Sequence, residues 1–137
     1  MIIKDKIKNI RELEIKIRTV SFGDALYYVL EKYNIKVESL AAKASIDKRN
    51  IYRYLNNGVI PKKGALVQLL IALGLSYTIS VELLRSAGYA LNSSYPDVFY
   101  SIMLENPGTL TVAEANELII EMNESIGRSE IPEFVIN

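Results

Sequence analysis

The segment from Val37 to Leu55 places the strongest constraint on the fold, because its apolar residues follow two short helical periods separated by a tight turn. Two short helices that cross steeply need a small residue where they touch, and Ala41 supplies it. The other apolar side chains of both helices then meet in one wedge of core: Leu40, Ala44, Ile46, Ile51 and Leu55. Asp47 is placed to cap the second helix, which we expect to end before Gly58.

This packing turns the polar residues of the second helix outward: Lys48, Arg49, Tyr52, Arg53 and Asn56. A helix with one buried face and hydrogen-bond donors on the other has the form needed to read base edges in the major groove of DNA. Residues 43–63 carry a net charge of +5, whereas the whole chain of 137 residues is formally neutral. Any contact with DNA must therefore come from this local basic patch.

Helix-capping residues recur along the rest of the chain and, with the helical spacing of the apolar residues, predict an all-α fold. The nearly apolar run Lys63–Leu73 predicts a central buried helix that ends at Gly74. Other helices are expected after Ser21, from Ile79 to Ala87, after Ser94, and after the capping box formed by Thr111 and Glu114.

The first 20 residues fit two structures. Ile3, Ile7, Ile10, Leu13 and Ile17 have the spacing of one helical face, whereas Leu13, Ile15 and Ile17 also alternate as in a strand. The absence of proline and glycine from this segment favours the helix.

Four parts are therefore expected: an N-terminal flanking helix over residues 1–20, a five-helix domain over 21–91, a helical extension over 92–127 and an irregular tail over 128–137. The two ends of the chain carry branched apolar residues that need a partner surface. Their opposite charges, +3 over residues 1–20 and −7 over 97–137, favour packing of the ends on each other or on a second copy. We expect a homodimer, since two-fold pairing is the commonest form of self-association.

The segment around residues 37–57 resembles the helix-turn-helix of the phage-repressor, or Cro-like, family of bacterial and phage regulators. The similarity extends to the sequences Pro61-Lys62-Lys63, Leu70–Leu75, Leu83–Leu91 and Val112–Leu118. One departure is Ser45, which occupies the turn position where the family usually carries glycine, a position that favours φ > 0. A second departure is the bulky Tyr52 on the outward face.

The resemblance implies a repressor-like five-helix domain and a sequence-specific DNA-binding regulator of transcription, with residues 47–56 docked in the major groove of double-stranded DNA. Pairing over two half-sites is the usual arrangement for such proteins. We expect Lys48, Arg49, Asn50 and Arg53 to contact bases, and Lys43, Lys62 and Lys63 to contact phosphates. Tyr52 either contacts a sugar or a thymine methyl group or covers the core, and Asn56 completes the outward face.

Other function classes find little support. The chain has no cysteine and no histidine, so we expect no catalytic site, no metal site, no cofactor and no enzyme activity. The longest apolar run is too short to span a bilayer, and the first residues do not resemble a signal peptide, so a soluble cytoplasmic protein without a membrane partner is expected.

The alternative hypothesis is a protein-binding module that keeps this fold, such as an inhibitor or adaptor encoded by a phage or mobile element. The neutral overall charge, the acidic C-terminal region and Tyr52 favour it. A continuous positive surface over residues 43–63 would favour DNA, and one interrupted by acidic side chains would favour a protein partner.

Overall fold

The computed structural model describes residues 2–136, which form eight α-helices and no β-strand. The predicted all-α class is confirmed. The helices are α1 (Ile3–Arg18), α2 (Phe22–Lys32), α3 (Val37–Ala44), α4 (Lys48–Leu55), α5 (Lys63–Leu73), α6 (Tyr77–Ser86), α7 (Tyr95–Glu105) and α8 (Val112–Ile126). None of the helices in the described part of the chain combines the length and the apolar character required to cross a membrane.

The helix boundaries follow from local capping. Five helices begin at a residue whose side-chain oxygen accepts a backbone N–H of the first turn: Ser21, Asp47, Ser76, Ser94 and Thr111. Two helices end at a glycine in the left-handed conformation: Gly74, as predicted, and Gly127, the last residue of the predicted helical extension. Helix α6 begins two residues before the predicted Ile79, because Ser76 caps it.

The ambiguous N-terminal segment is helical. Leu13 and Ile17 are buried, whereas Ile15 between them is 49% exposed, so the alternating pattern does not mark a strand. Helix α1 packs against α2 and α6. The second half of the N-terminal segment therefore finds its partner surface within its own chain.

A network of charged groups attaches α1 to α6. The Arg18 guanidinium donates to both oxygens of Glu82, at 3.0 and 2.8 Å, and Arg85 donates to the same carboxylate at 2.8 Å. The hydrogen bond from Arg18 is the main reason that the pKa of the nearly buried Glu82 lies below its ordinary value. This carboxylate is therefore buried together with its counter-ions.

Helix α5 lies at the centre of the core and packs against α3, α6, α7 and α8. Its buried apolar residues lie on several sides of the helix: Leu66, Val67, Leu69, Leu70 and Leu73. Gln68 is also buried, and its Nε2 donates to the carbonyl oxygens of Ala44 at 2.7 Å and Val135 at 3.1 Å. The one polar residue in the interior of this apolar helix therefore joins it to the end of α3 and to the C-terminal tail.

The C-terminal tail is irregular, as predicted, but it is packed on the core. Ile131 and Phe134 are buried. The side chain of Asn123 bonds the backbone of Ile131 twice, at 2.9 and 2.8 Å, and Asn116 Oδ1 accepts the N–H of Phe134 at 2.8 Å. Two asparagines of α8 thus replace the backbone hydrogen bonds that the extended tail cannot make within itself.

The start of α2 closely approaches the end of α4 at Gly23. The backbone N–H of Gly23 donates to Asn57 Oδ1 at 2.9 Å, and Asn57 Nδ2 donates to Asp24 at 3.3 Å. A Cβ at residue 23 would lie against the carbonyl oxygen of Tyr54 and the side chain of Asn57, closer than real Cβ atoms approach other atoms. The absence of a side chain at this position therefore determines how α4 is held against α2.

We expect Gly23→Ala to lower the free energy of unfolding by about 1–3 kcal/mol, because the added carbon displaces backbone as well as a side chain. Gly64→Ala is the matched control, since Gly64 is likewise the second residue of its helix and the nearest atom to its added Cβ is Tyr100 Oη at 3.6 Å. The control should be neutral or stabilising by up to about 1 kcal/mol. Urea denaturation measures the free energy of unfolding of both variants. An equal change in Gly23→Ala and Gly64→Ala would contradict the close approach at Gly23.

Candidate nucleic-acid interface

Helices α3 and α4 are joined by a turn of three residues. Ser45 adopts the left-handed conformation (φ 55°, ψ 40°), and the N–H of Ile46 donates to the carbonyl oxygen of Ala41 at 3.2 Å. The positive φ that the sequence predicts at this position is therefore adopted by a serine, at a small conformational cost. Asp47 then begins α4 by accepting the N–H of Arg49 at 2.8 Å.

The buried face of this helix pair is the one that the sequence predicts. Leu40, Ala44, Ile46 and Ile51 are buried, and Ala41 and Leu55 are half-buried against the same core. Tyr54, on the same side of α4, is buried as well. The packing of this face determines which side chains of α4 reach the solvent.

The outward face of α4 is polar and basic. It exposes six residues named in the sequence prediction: Lys48, Arg49, Asn50, Tyr52, Arg53 and Asn56. Lys43 at the end of α3 and Lys62 before α5 are exposed as well. Among residues 2–136, Lys43, Lys48, Arg53 and Lys62 form no ion pair with an acidic side chain.

Lys63 lies elsewhere. Its Nζ is 2.7 Å from Asp97 Oδ2 and 2.6 Å from the carbonyl oxygen of Ala90, and its side chain is only 26% exposed. Asp97 is buried, so this ion pair holds α5 to α7. This pairing disfavours the predicted contact of Lys63 with phosphate, because its ammonium group is already used inside the fold.

Two acidic side chains interrupt the basic surface. Arg49 forms a two-point contact with Asp47, at 3.2 and 2.8 Å, and this hydrogen bonding together with the backbone N–H of Arg49 lowers the pKa of Asp47 to about 2. Tyr52 donates to Glu38 at 3.3 Å. The acidic Glu38 and Glu31 line a shallow groove beside α4, together with Tyr52 and others.

The tail also reaches this region, which the sequence does not predict. Glu133, Val135 and Ile136 line a second groove together with Asn50 and Lys62. The sequence does contain two large apolar residues in the tail, Ile131 and Phe134, which indicate that the tail packs on the core, and both are buried. Nothing in their spacing indicates which surface they would meet.

Comparison of the chain with models of protein families, with curated proteins and with solved structures gave no match.

The low pKa of Asp47 gives a prediction about pH. Because the folded pKa of about 2 lies below the ordinary 3.8, the capping interaction contributes stability above pH 4 and loses it as the pH falls toward 2. In Arg49→Ala we expect the pKa to move up toward 3.8, since the guanidinium is its main cause. Arg53→Ala is the control and should leave it unchanged. NMR titration of the Asp47 carboxyl carbon measures this pKa in the parent protein and in both variants. An ordinary pKa in the parent protein would contradict the ion pair.

Proposed function

We propose that the protein is a sequence-specific DNA-binding regulator of the phage-repressor type, with α2 to α6 as its five-helix domain and α4 as its recognition helix. The observation that carries the proposal is the exposed face of α4 and its flanks. Four cations, Lys43, Lys48, Arg53 and Lys62, have no ion-pair partner within residues 2–136, and they lie on the segments around α4 in a chain of zero net charge. A local patch of this kind supplies the phosphate attraction that DNA binding needs.

The roles of the side chains follow from their positions. Lys48, Arg49, Asn50 and Arg53 are proposed to reach base edges from α4, since arginine and lysine pair with guanine and asparagine with adenine. Lys43 and Lys62 flank the helix and are proposed to contact phosphates. Tyr52 and Asn56 complete the face toward the sugar-phosphate backbone.

The contact between Asp47 and Arg49 does not exclude this role. The Arg49 side chain is 80% exposed, and solvent weakens an exposed ion pair of this kind. A two-point contact between arginine and guanine provides about 1–3 kcal/mol of discrimination. The Asp47 contact is therefore weak enough for Arg49 to exchange it for a base, and Asp47 keeps its bond to the backbone of α4.

The second candidate function is recognition of a protein. The groove beside α4 favours it, because Tyr27 and Tyr52 there donate to Glu31 and Glu38. These two acidic residues outnumber the one basic residue that lines the groove, Lys36. Such a surface suits a basic segment of a protein and would repel phosphate. Asp47 and Glu38 interrupt the basic surface, and by itself this interruption favours a protein partner. Residues 43–63 nevertheless keep a net charge of +5 with Asp47 included, and this excess makes DNA the better supported partner.

The double variant Arg49→Ala with Arg53→Ala tests the recognition face. A duplex is first selected with the parent protein from a random-sequence library, and affinity is then measured by fluorescence anisotropy at fixed salt. We expect a loss of about 2–6 kcal/mol with folding intact, since both side chains are exposed. Lys32→Ala with Arg128→Ala removes the same charge from exposed positions outside residues 43–63 and should change little. Failure to select any duplex would favour the protein partner.

The neighbours Lys62 and Lys63 give an internal comparison. Lys62→Ala should leave stability unchanged and lower the slope of log affinity against log salt by about 1, as for one lost phosphate contact. Lys63→Ala should leave that slope unchanged and lower the free energy of unfolding by about 1–3 kcal/mol, because Asp97 loses its counter-ion. The reverse result would contradict the assignment of both lysines.

A further inference from the structure

The apolar residues of helix α1 form a continuous seam along one face, and the rest of the chain covers only part of it. Ile3, Ile7, Ile10, Leu13 and Ile17 share one face of the helix. The last two residues are 1% exposed against the rest of the chain, whereas Ile3 is 77% and Ile7 63% exposed, with Ile10 between these extremes. The first half of α1 therefore presents to solvent the same apolar face that the second half buries.

Helix α7 has an apolar outer face of matching form. Tyr95, Val98 and Ile102 lie along one side of it and are 38%, 45% and 56% exposed. The opposite side carries Tyr100 and Leu104, which are buried in the core. The outer face is therefore a stripe of three large apolar side chains, about 10 Å long at 1.5 Å per residue.

The charges around the two stripes are of opposite sign. Residues 3–11 of α1 carry four basic side chains and one acidic one. Helix α7 has no basic residue, and its exposed acidic residue is Glu105, since Asp97 is buried against Lys63. From residue 97 onward the chain has a net charge of −7. Two copies of α1 placed against each other would bring like charges together, whereas α1 against α7 pairs basic with acidic.

We propose that the first half of α1 docks on the outer face of α7 in a second copy of this chain. The exchange is reciprocal: each copy inserts its Ile3 and Ile7 beside the Val98 and Ile102 of the other. The same contact is then made twice about a two-fold axis, which closes the assembly as a dimer. The inference is independent of DNA binding, because none of these residues belongs to the α4 face.

The test is analytical ultracentrifugation of the full chain over a range of concentrations, with the folding of each variant checked by circular dichroism. The parent protein should sediment as a dimer. Ile7→Asp and Ile102→Asp, one on each stripe, should each raise the dissociation constant at least a hundredfold, since each places a charge in both copies of the contact. Ile15→Asp is the control, because Ile15 is 49% exposed on another face of α1, and it should leave the dimer unchanged.

Mixing the variants distinguishes the exchange from other arrangements. In a homodimer of either variant, both copies of the contact carry an aspartate. In a mixed dimer one contact is intact, because α1 of the Ile102→Asp chain packs on α7 of the Ile7→Asp chain, and neither of these helices is altered. The mixture should therefore contain heterodimer at concentrations where each variant alone is monomeric. A monomeric parent protein, or an Ile102→Asp variant that dimerises as the parent does, would overturn the proposal. The latter result would indicate that α1 meets another surface.

Discussion

The apolar character of α5 is the constraint on which the rest of the structure depends. A helix with buried residues on several sides must be enclosed by others, and α3, α6, α7 and α8 enclose it. The buried side-chain amide of Gln68 positions two of the neighbouring segments against α5, because it donates to the last carbonyl of α3 and to the backbone of Val135. The turn before α4 and the tail are thus held by the same side chain of the central helix.

The exposed face of α4 is a consequence of this arrangement. Ile51 and Tyr54 are buried against the core, and Gly23 allows α2 to approach the end of α4 closely. The basic side chains of α4 remain on its exposed side, and within the described residues Lys48 and Arg53 form no ion pair. Asp47 belongs both to the fold, as a helix cap, and to the surface, as the partner of Arg49.

Much of the helical architecture could be predicted, because helix ends depend on nearby residues. Capping by Asp47, the capping box at Thr111 and the left-handed Gly74 are all interactions within a few positions of the chain. The left-handed turn at Ser45 was expected from the family resemblance instead, since a serine does not by itself indicate a positive φ. The buried and exposed sides of α4 followed from the period of the helix.

The sequence by itself determined where the helices lie and which face of α4 is polar, because both are set by short-range spacing and capping. Tertiary structure alone decided that Lys63 pairs with Asp97, 34 positions away, while its neighbour Lys62 stays exposed. It likewise decided that the tail reaches the start of α4, and that only half of the apolar seam of α1 is covered. These outcomes depend on which surfaces meet around α5, and the spacing of residues along the chain carries no information about distant partners.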